Sequence, residues 1–191
     1  MIYEKIVFIT VHSDVICETM QEKKFNVNLE SFDGKMKHLR MSEYNVYTDG
    51  SRIDGQCGAG YSIYKYKTNI ASNCANLPTT STVFQAEIIG IKLACEELTK
   101  MQGEINIKYV KIFSDSQAAV AALDSSEITS QAVKDAKNAL NKLASTTKHT
   151  VLVWIKAHVG HVGNEAADEL AKQGTVSEKS VKIGILFYIA R

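Results

Sequence analysis

The chain has 191 residues, 45% of them hydrophobic, a formal charge of +1 and a sequence pI of about 7.7. That length supports one domain with a sizeable core and residues to spare for tails. The near-neutral balance excludes nucleic-acid binding driven by overall basic charge, so any such partner must be held by local features. The four cysteines, Cys17, Cys57, Cys74 and Cys95, form no C-x-x-C pair, which argues for an intracellular protein and against a disulfide framework or a zinc site. Neither end argues for a membrane. The apolar run at 6–11 is interrupted by His12 and Asp14 with no small-residue cleavage site after it. The run at 183–190 is far below the roughly 20 apolar residues that a span needs.

Residues 1–42 show a strand-like start and then a mixed charged stretch without sustained period or caps, and are expected to be an extension or linker from an upstream domain. From Tyr44 the pattern sharpens. Tyr44, Val46 and Tyr47 favour a strand, and Asp49-Gly50-Ser51 is expected to end it in a turn. After a loop at 52–55, residues 58–66 alternate as a strand with one wet face does, and 68–77 follow as a third strand. Short connections predict an antiparallel meander. Pro78 punctuates, and Phe84, Ile88, Ile91, Cys95 and Leu98 recur at helical spacing up to Met101. Beside them Ala86, Gly90 and Ala94 form a strip of small residues that would let this helix lie close on a sheet.

A strand is predicted at 109–113, ending at Ser114-Asp115-Ser116-Gln117, with the helix AAVAAL directly after it. An amphipathic helix is predicted at 128–144, a buried strand at 150–155 with Trp154 as a core residue, and a last helix at 164–173. The order strand, strand, strand, helix, strand, helix, helix, strand, helix is an α/β layout in which helices cover a mixed sheet.

Three acids then stand where they can converge: Asp49 and Asp115 at strand ends, and Glu87 one turn into a helix. Asp168, on the last helix after a loop with His158 and His161, is a fourth. Carboxylates packed together cannot all stay ionised in a dry site, so the set implies bound divalent cations, and all-oxygen ligation suits magnesium or manganese. Two such ions about 4 Å apart serve in-line phosphoryl transfer, which predicts a phosphodiester substrate.

The motifs YTDGS, FQAE, FSDSQ and WIKAHVGHVGNEAADELAK resemble those of the type I ribonuclease H family over about residues 43–175. The wording TVFQAE is similar to the ribonuclease H domains attached to reverse transcriptases of non-LTR retrotransposons. The resemblance implies a five-stranded mixed sheet with helices on both faces, a catalytic domain at 43–175 and a C-terminal tail at 176–191. It implies an endonuclease that cuts the RNA strand of an RNA/DNA hybrid, leaving 3′-hydroxyl and 5′-phosphate ends with two Mg2+ ions, for which Mn2+ can substitute. Asp49, Glu87, Asp115 and Asp168 would be the metal ligands, Asp49 bridging both ions, and Glu87 would also reach the RNA sugar. His158 would assist proton transfer or product departure.

Gly50, Ser51 and Gln117 would contact the RNA strand through small polar groups, and Thr82 a DNA phosphate. Two departures matter. No lysine-rich helical handle follows Leu123, and residues 1–42 are too short and unpatterned for a separate hybrid-binding module. Grip on the hybrid is therefore expected to be weak without a fused or associated reverse transcriptase, in the cytoplasm or nucleus. The alternatives are a catalytically silent nucleic-acid-binding or structural module of the same fold, which the complete acid set disfavours, and a transposase or integrase, which the HVGHVGNEAAD loop fits less well.

Overall fold

A strand sequence that runs through the first acid without stopping sets the architecture. The computed structural model describes residues 15–20, 22–29, 43–157 and 160–178. β3 (Tyr44–Ile53) does not end at Asp49-Gly50 as expected. It continues to Ile53 and turns at Asp54 and Gly55, both with positive φ (50° and 80°), into β4 (Gln56–Lys65). The reason is the unequal length of its two neighbours. β4 pairs with β3 along its whole length, whereas the parallel partner β6 (Tyr109–Ser114) pairs only as far as Thr48↔Ser114. Asp49 therefore sits one residue past the end of the parallel ladder, in a strand held straight from its other side.

β5 (Thr68–Leu77) completes the antiparallel meander, and β8 (His149–Trp154) joins β6 in parallel. Among the described residues the sheet has six strands, one more than expected, in the order β2-β8-β6-β3-β4-β5. The extra one, β2 (Asn26–Asn28), pairs in parallel with β8. β1 (Val15–Thr19) pairs antiparallel with β7 (Glu127–Ser130). So part of the stretch expected to be a linker adds strands. Its β7 partner also explains why the helix predicted from 128 starts only at Gln131: the β-branched Ile128 and Thr129 are used in a ladder.

Side chains alternate across β3 and sort the helices. Tyr44 and Val46 enter the main core with Ile88, Ile91 and Leu98 of α1 (Val83–Met101). On the same side lie α2 (Gln117–Asp124) and α3 (Gln131–Thr146), whose Val120, Leu123, Val133 and Leu140 belong to that core. Tyr47 points the other way, to α4 (Val162–Gly174), where a Cβ on Gly163 would come within 2.7 Å of its ring. Helices thus lie on both faces. α2 passes into β7 through two residues, with no room for a basic handle. Here a lysine is turned inward instead: Lys137, fully buried, donates to the carbonyl oxygens of Ser125 and Glu127, and burial lowers its pKa.

Candidate active site

Each acid is delivered by a local feature. Thr82 caps α1: its hydroxyl accepts from Gln85 N (3.1 Å) while Gln85 Oε1 accepts from Thr82 N (2.9 Å), a reciprocal capping box that fixes where the helix begins. That start puts Glu87 over Gly50, where a side chain is excluded, because a Cβ would lie 2.5 Å from Glu87 N and 2.9 Å from Ala86 C. The close approach brings Glu87 beside Asp49. Asp115 lies between β6 and the N-cap of α2, Ser116, whose hydroxyl accepts from Ala119 N. One carboxylate oxygen each from Asp49, Glu87 and Asp115 lie within 4.8 Å of one another.

Asp168, on α4 at the opposite face, is not among the three acids whose oxygens lie within 4.8 Å, but it stands near enough for its charge to add to the rise of the Asp49 carboxyl. It also accepts from Lys172 Nζ at 2.7 Å, one helical turn on. Lys172 brings a positive charge to the edge of the cluster, a residue that the sequence reading passed over although 164, 168 and 172 share one stripe of α4. Asn164, on that stripe, donates from Nδ2 to Asp115 Oδ2 at 2.9 Å, and Trp154 Nε1 donates to the Asp115 carbonyl at 3.0 Å. Trp154 is half-buried against the core as expected, and it also holds the acid-bearing turn.

The remaining residues singled out in the sequence are placed less decisively. Gly50 N already donates to Asp49 Oδ1 (2.9 Å), and the Thr82 hydroxyl is occupied with its cap. Ser51 pairs with Gly58 in the β3–β4 ladder, and Gln117 is exposed at the first turn of α2. His158 lies outside the described residues.

Electrostatics explains what this set requires. Burial, then the Asp115 charge, pushes the Asp49 carboxyl up to about 7, partly opposed by the Gly50 amide. Burial, then Asp49 and Asp115, pushes Glu87 up to about 10. Glu87 Oε2 is buried with no hydrogen-bond partner among the described residues. A hard cation with oxygen ligands would relieve both the repulsion and the orphaned oxygen, so the donor set fits a divalent ion of the magnesium or manganese kind.

The same shifts give a measurable pH dependence. In the unfolded chain these carboxyls lose their protons near pH 4, whereas in the folded, metal-free protein they keep them towards pH 7 and beyond. The folded state then binds more protons, so stability falls as pH rises through that window, by up to about 1.4 kcal/mol per pH unit for each carboxyl. Thermal melts in EDTA should show a falling midpoint from pH 5 to pH 8, with a shallower slope in Glu87→Gln. A flat profile would contradict the electrostatic account.

With fold and acids in place, comparison with known proteins agrees. The RNase H family profile matches residues 41–176. The chain belongs to the ribonuclease H family. A curated relative, "Ribonuclease H" of Jannaschia sp. (strain CCS1), is 54% identical over 39 residues, which span 20% of this chain and 25% of that protein. Among solved structures, RNase H1 from the halophilic archaeon Halobacterium salinarum NRC-1 superposes with a TM-score of 0.54 at 17% identity, covering 69% of this chain and 96% of that one. At that identity the likeness is one of fold. No helix among the described residues is long and apolar enough to cross a membrane.

Proposed function

We propose that the protein is a divalent-cation-dependent endonuclease that cuts the RNA strand of RNA/DNA hybrids, leaving 3′-hydroxyl and 5′-phosphate ends. The observation that carries this reading is the cluster of Asp49, Glu87 and Asp115 oxygens within 4.8 Å, in a chain of the ribonuclease H family. Asp49, Glu87 and Asp115, with Asp168 beside them, would hold two ions, Mg2+ or Mn2+. Bound there, such a pair neutralises phosphodiester charge and lowers the pKa of a ligated water. Glu87 would also orient the RNA sugar. Gly50, Ser51 and Gln117 line the path of the RNA strand, where short polar groups distinguish the 2′-hydroxyl, and Thr82 meets a DNA phosphate. His158 moves a proton at the leaving oxygen or assists product departure.

The test is cleavage of a labelled hybrid with Mg2+, beside duplex DNA and duplex RNA. Cleavage of the hybrid RNA strand alone supports the reading, and no cleavage of any duplex favours the silent module of the same fold. Because the contacts are to phosphate and sugar, log affinity should fall linearly with log salt, by about 0.7–0.9 per phosphate neutralised, and should not depend on base sequence. Binding titrations on hybrids of equal length and different sequence check this, and a strong sequence preference would count against it.

A non-LTR retroelement origin and a fused or associated reverse transcriptase belong to the same reading. They are supported by the TVFQAE wording and by the two-residue passage from α2 to β7, which leaves grip on the hybrid to another domain. The working division is an N-terminal extension or linker at 1–42, the catalytic domain at 43–175 and a tail at 176–191. The place of action is the cytoplasm or nucleus, where hybrids arise.

A further inference from the structure

One polar side chain in the centre has no role in the reading so far. Asn164 is only 5% exposed, stands at the third position of α4, and donates from Nδ2 to Asp115 Oδ2 at 2.9 Å. Asn164 presents its NH2 group to Asp115 Oδ2, and turning the amide round would set oxygen against oxygen. In this orientation Asn164 Oδ1 is buried without a partner among the described residues. An amide that leaves its own oxygen unsatisfied in order to reach a carboxylate is an expensive choice for mere packing, where an apolar residue of that size avoids the penalty.

The surroundings make Asn164 a fixed reference point. α4 is pressed onto the sheet at Gly163, where a Cβ would come 2.7 Å from Tyr47 Cγ, and Ser62 Oγ donates to the Gly163 carbonyl at 3.3 Å. Tyr47 in turn stacks on Phe113, two residues before Asp115, with ring centroids 4.9 Å apart. The Asp115 backbone is held separately by Trp154 Nε1, so main chain and carboxylate have different anchors. One turn after Asn164, Asp168 stands near enough to Asp49 for its charge to raise that carboxyl. A single helix therefore bonds one strand-borne acid, Asp115, through an amide and brings a carboxyl near the other, Asp49.

We infer that Asn164 is a positioning residue that sets the orientation of the Asp115 carboxylate, so that the two strand-end acids are held ready for a cation. Asn164 touches neither the cation nor the phosphodiester in this role; it acts through Asp115. The inference rests on the proposed metal-dependent function for its consequence, but not for its geometry, and the experiment separates the two.

The experiment is a double-mutant cycle with Asn164→Ala and Asp115→Ala, read in two ways on the full chain without nucleic acid. Calorimetric titration with Mn2+ should show affinity about 3- to 30-fold weaker in Asn164→Ala, the size expected for an outer partner of a ligand. In EDTA, the loss of unfolding stability on Asn164→Ala should largely disappear in the Asp115→Ala background, because the partner is already gone. A purely structural Asn164 would destabilise equally in both backgrounds, and that result overturns the inference. So does wild-type Mn2+ affinity, within twofold, in a folded Asn164→Ala protein. Should Asn164→Ala fail to fold, Asn164→Ser takes its place in both readouts, since serine keeps a polar group in the slot but is too short to reach Asp115. If the wild type binds no Mn2+, the proposed function fails while the EDTA cycle still decides the role of Asn164.

Discussion

Asp49→Asn is expected to bring hybrid cleavage down to background while leaving the metal-free protein at least as stable as the wild type. The two halves of this result have one cause. Asp49 shares the cluster with Glu87 and Asp115 and also feels the charge of Asp168, so its carboxylate is the point where repulsion between the acids concentrates and where a cation would relieve it. The amide keeps the shape and can still accept from Gly50 N, which now donates to Oδ1 at 2.9 Å. Removing the charge also removes the repulsion that raises Glu87, so EDTA melts at pH 8 should show an equal or higher midpoint. The rise in midpoint that Mg2+ gives the wild type by binding only the folded state should shrink or vanish. Activity within about tenfold of wild type, a barrier change of about 1.4 kcal/mol or less, would sink the assignment of this cluster as the reaction centre.

The acids were legible in the sequence because each follows a pattern that survives without tertiary knowledge. Asp115 ends an apolar strand before a serine cap, and Glu87 follows a capping-box threonine by five positions. What escaped the sequence were features set by a distant partner. Asp49-Gly50 has the composition of a turn, but β4 carries the strand past it, and the glycine is there for α1 to approach rather than for the chain to reverse. Ile128 fits a helical stripe until β1, over a hundred residues earlier, offers it a ladder. Residues 26–28 carry no strand signature, and the exposed edge of β8 makes a strand of them. Asn164 was visible as part of a motif, yet its role depends on an amide reaching from one element to another, which no local pattern encodes.

Gly60→Ala is expected to be among the most damaging single-methyl changes the chain can suffer, lowering stability and cleavage together. A Cβ at this position of β4 would meet the backbone of α4: Ala167 O at 2.7 Å, Leu170 C at 2.7 Å and Ala171 N closer still. None of these atoms belongs to a side chain that could turn aside, so the helix itself must lift. Overpacking of this kind costs about 1–3 kcal/mol, and more where the obstacle is main chain. The same helix brings Asn164 to Asp115 and Asp168 to Asp49, so lifting it separates the acids it holds from those on the strands. Chemical denaturation should therefore show a lower midpoint with an unchanged m-value. The folded fraction should bind Mn2+ more weakly than wild type, a loss that correcting for unfolded protein does not remove. Gly103→Ala is the control: its Cβ would meet only Lys100 O at 3.4 Å, and it should stay within about 0.5 kcal/mol of wild type. If Gly60→Ala matches that control in both stability and Mn2+ affinity, the tight seat of α4 on the sheet does not govern the site.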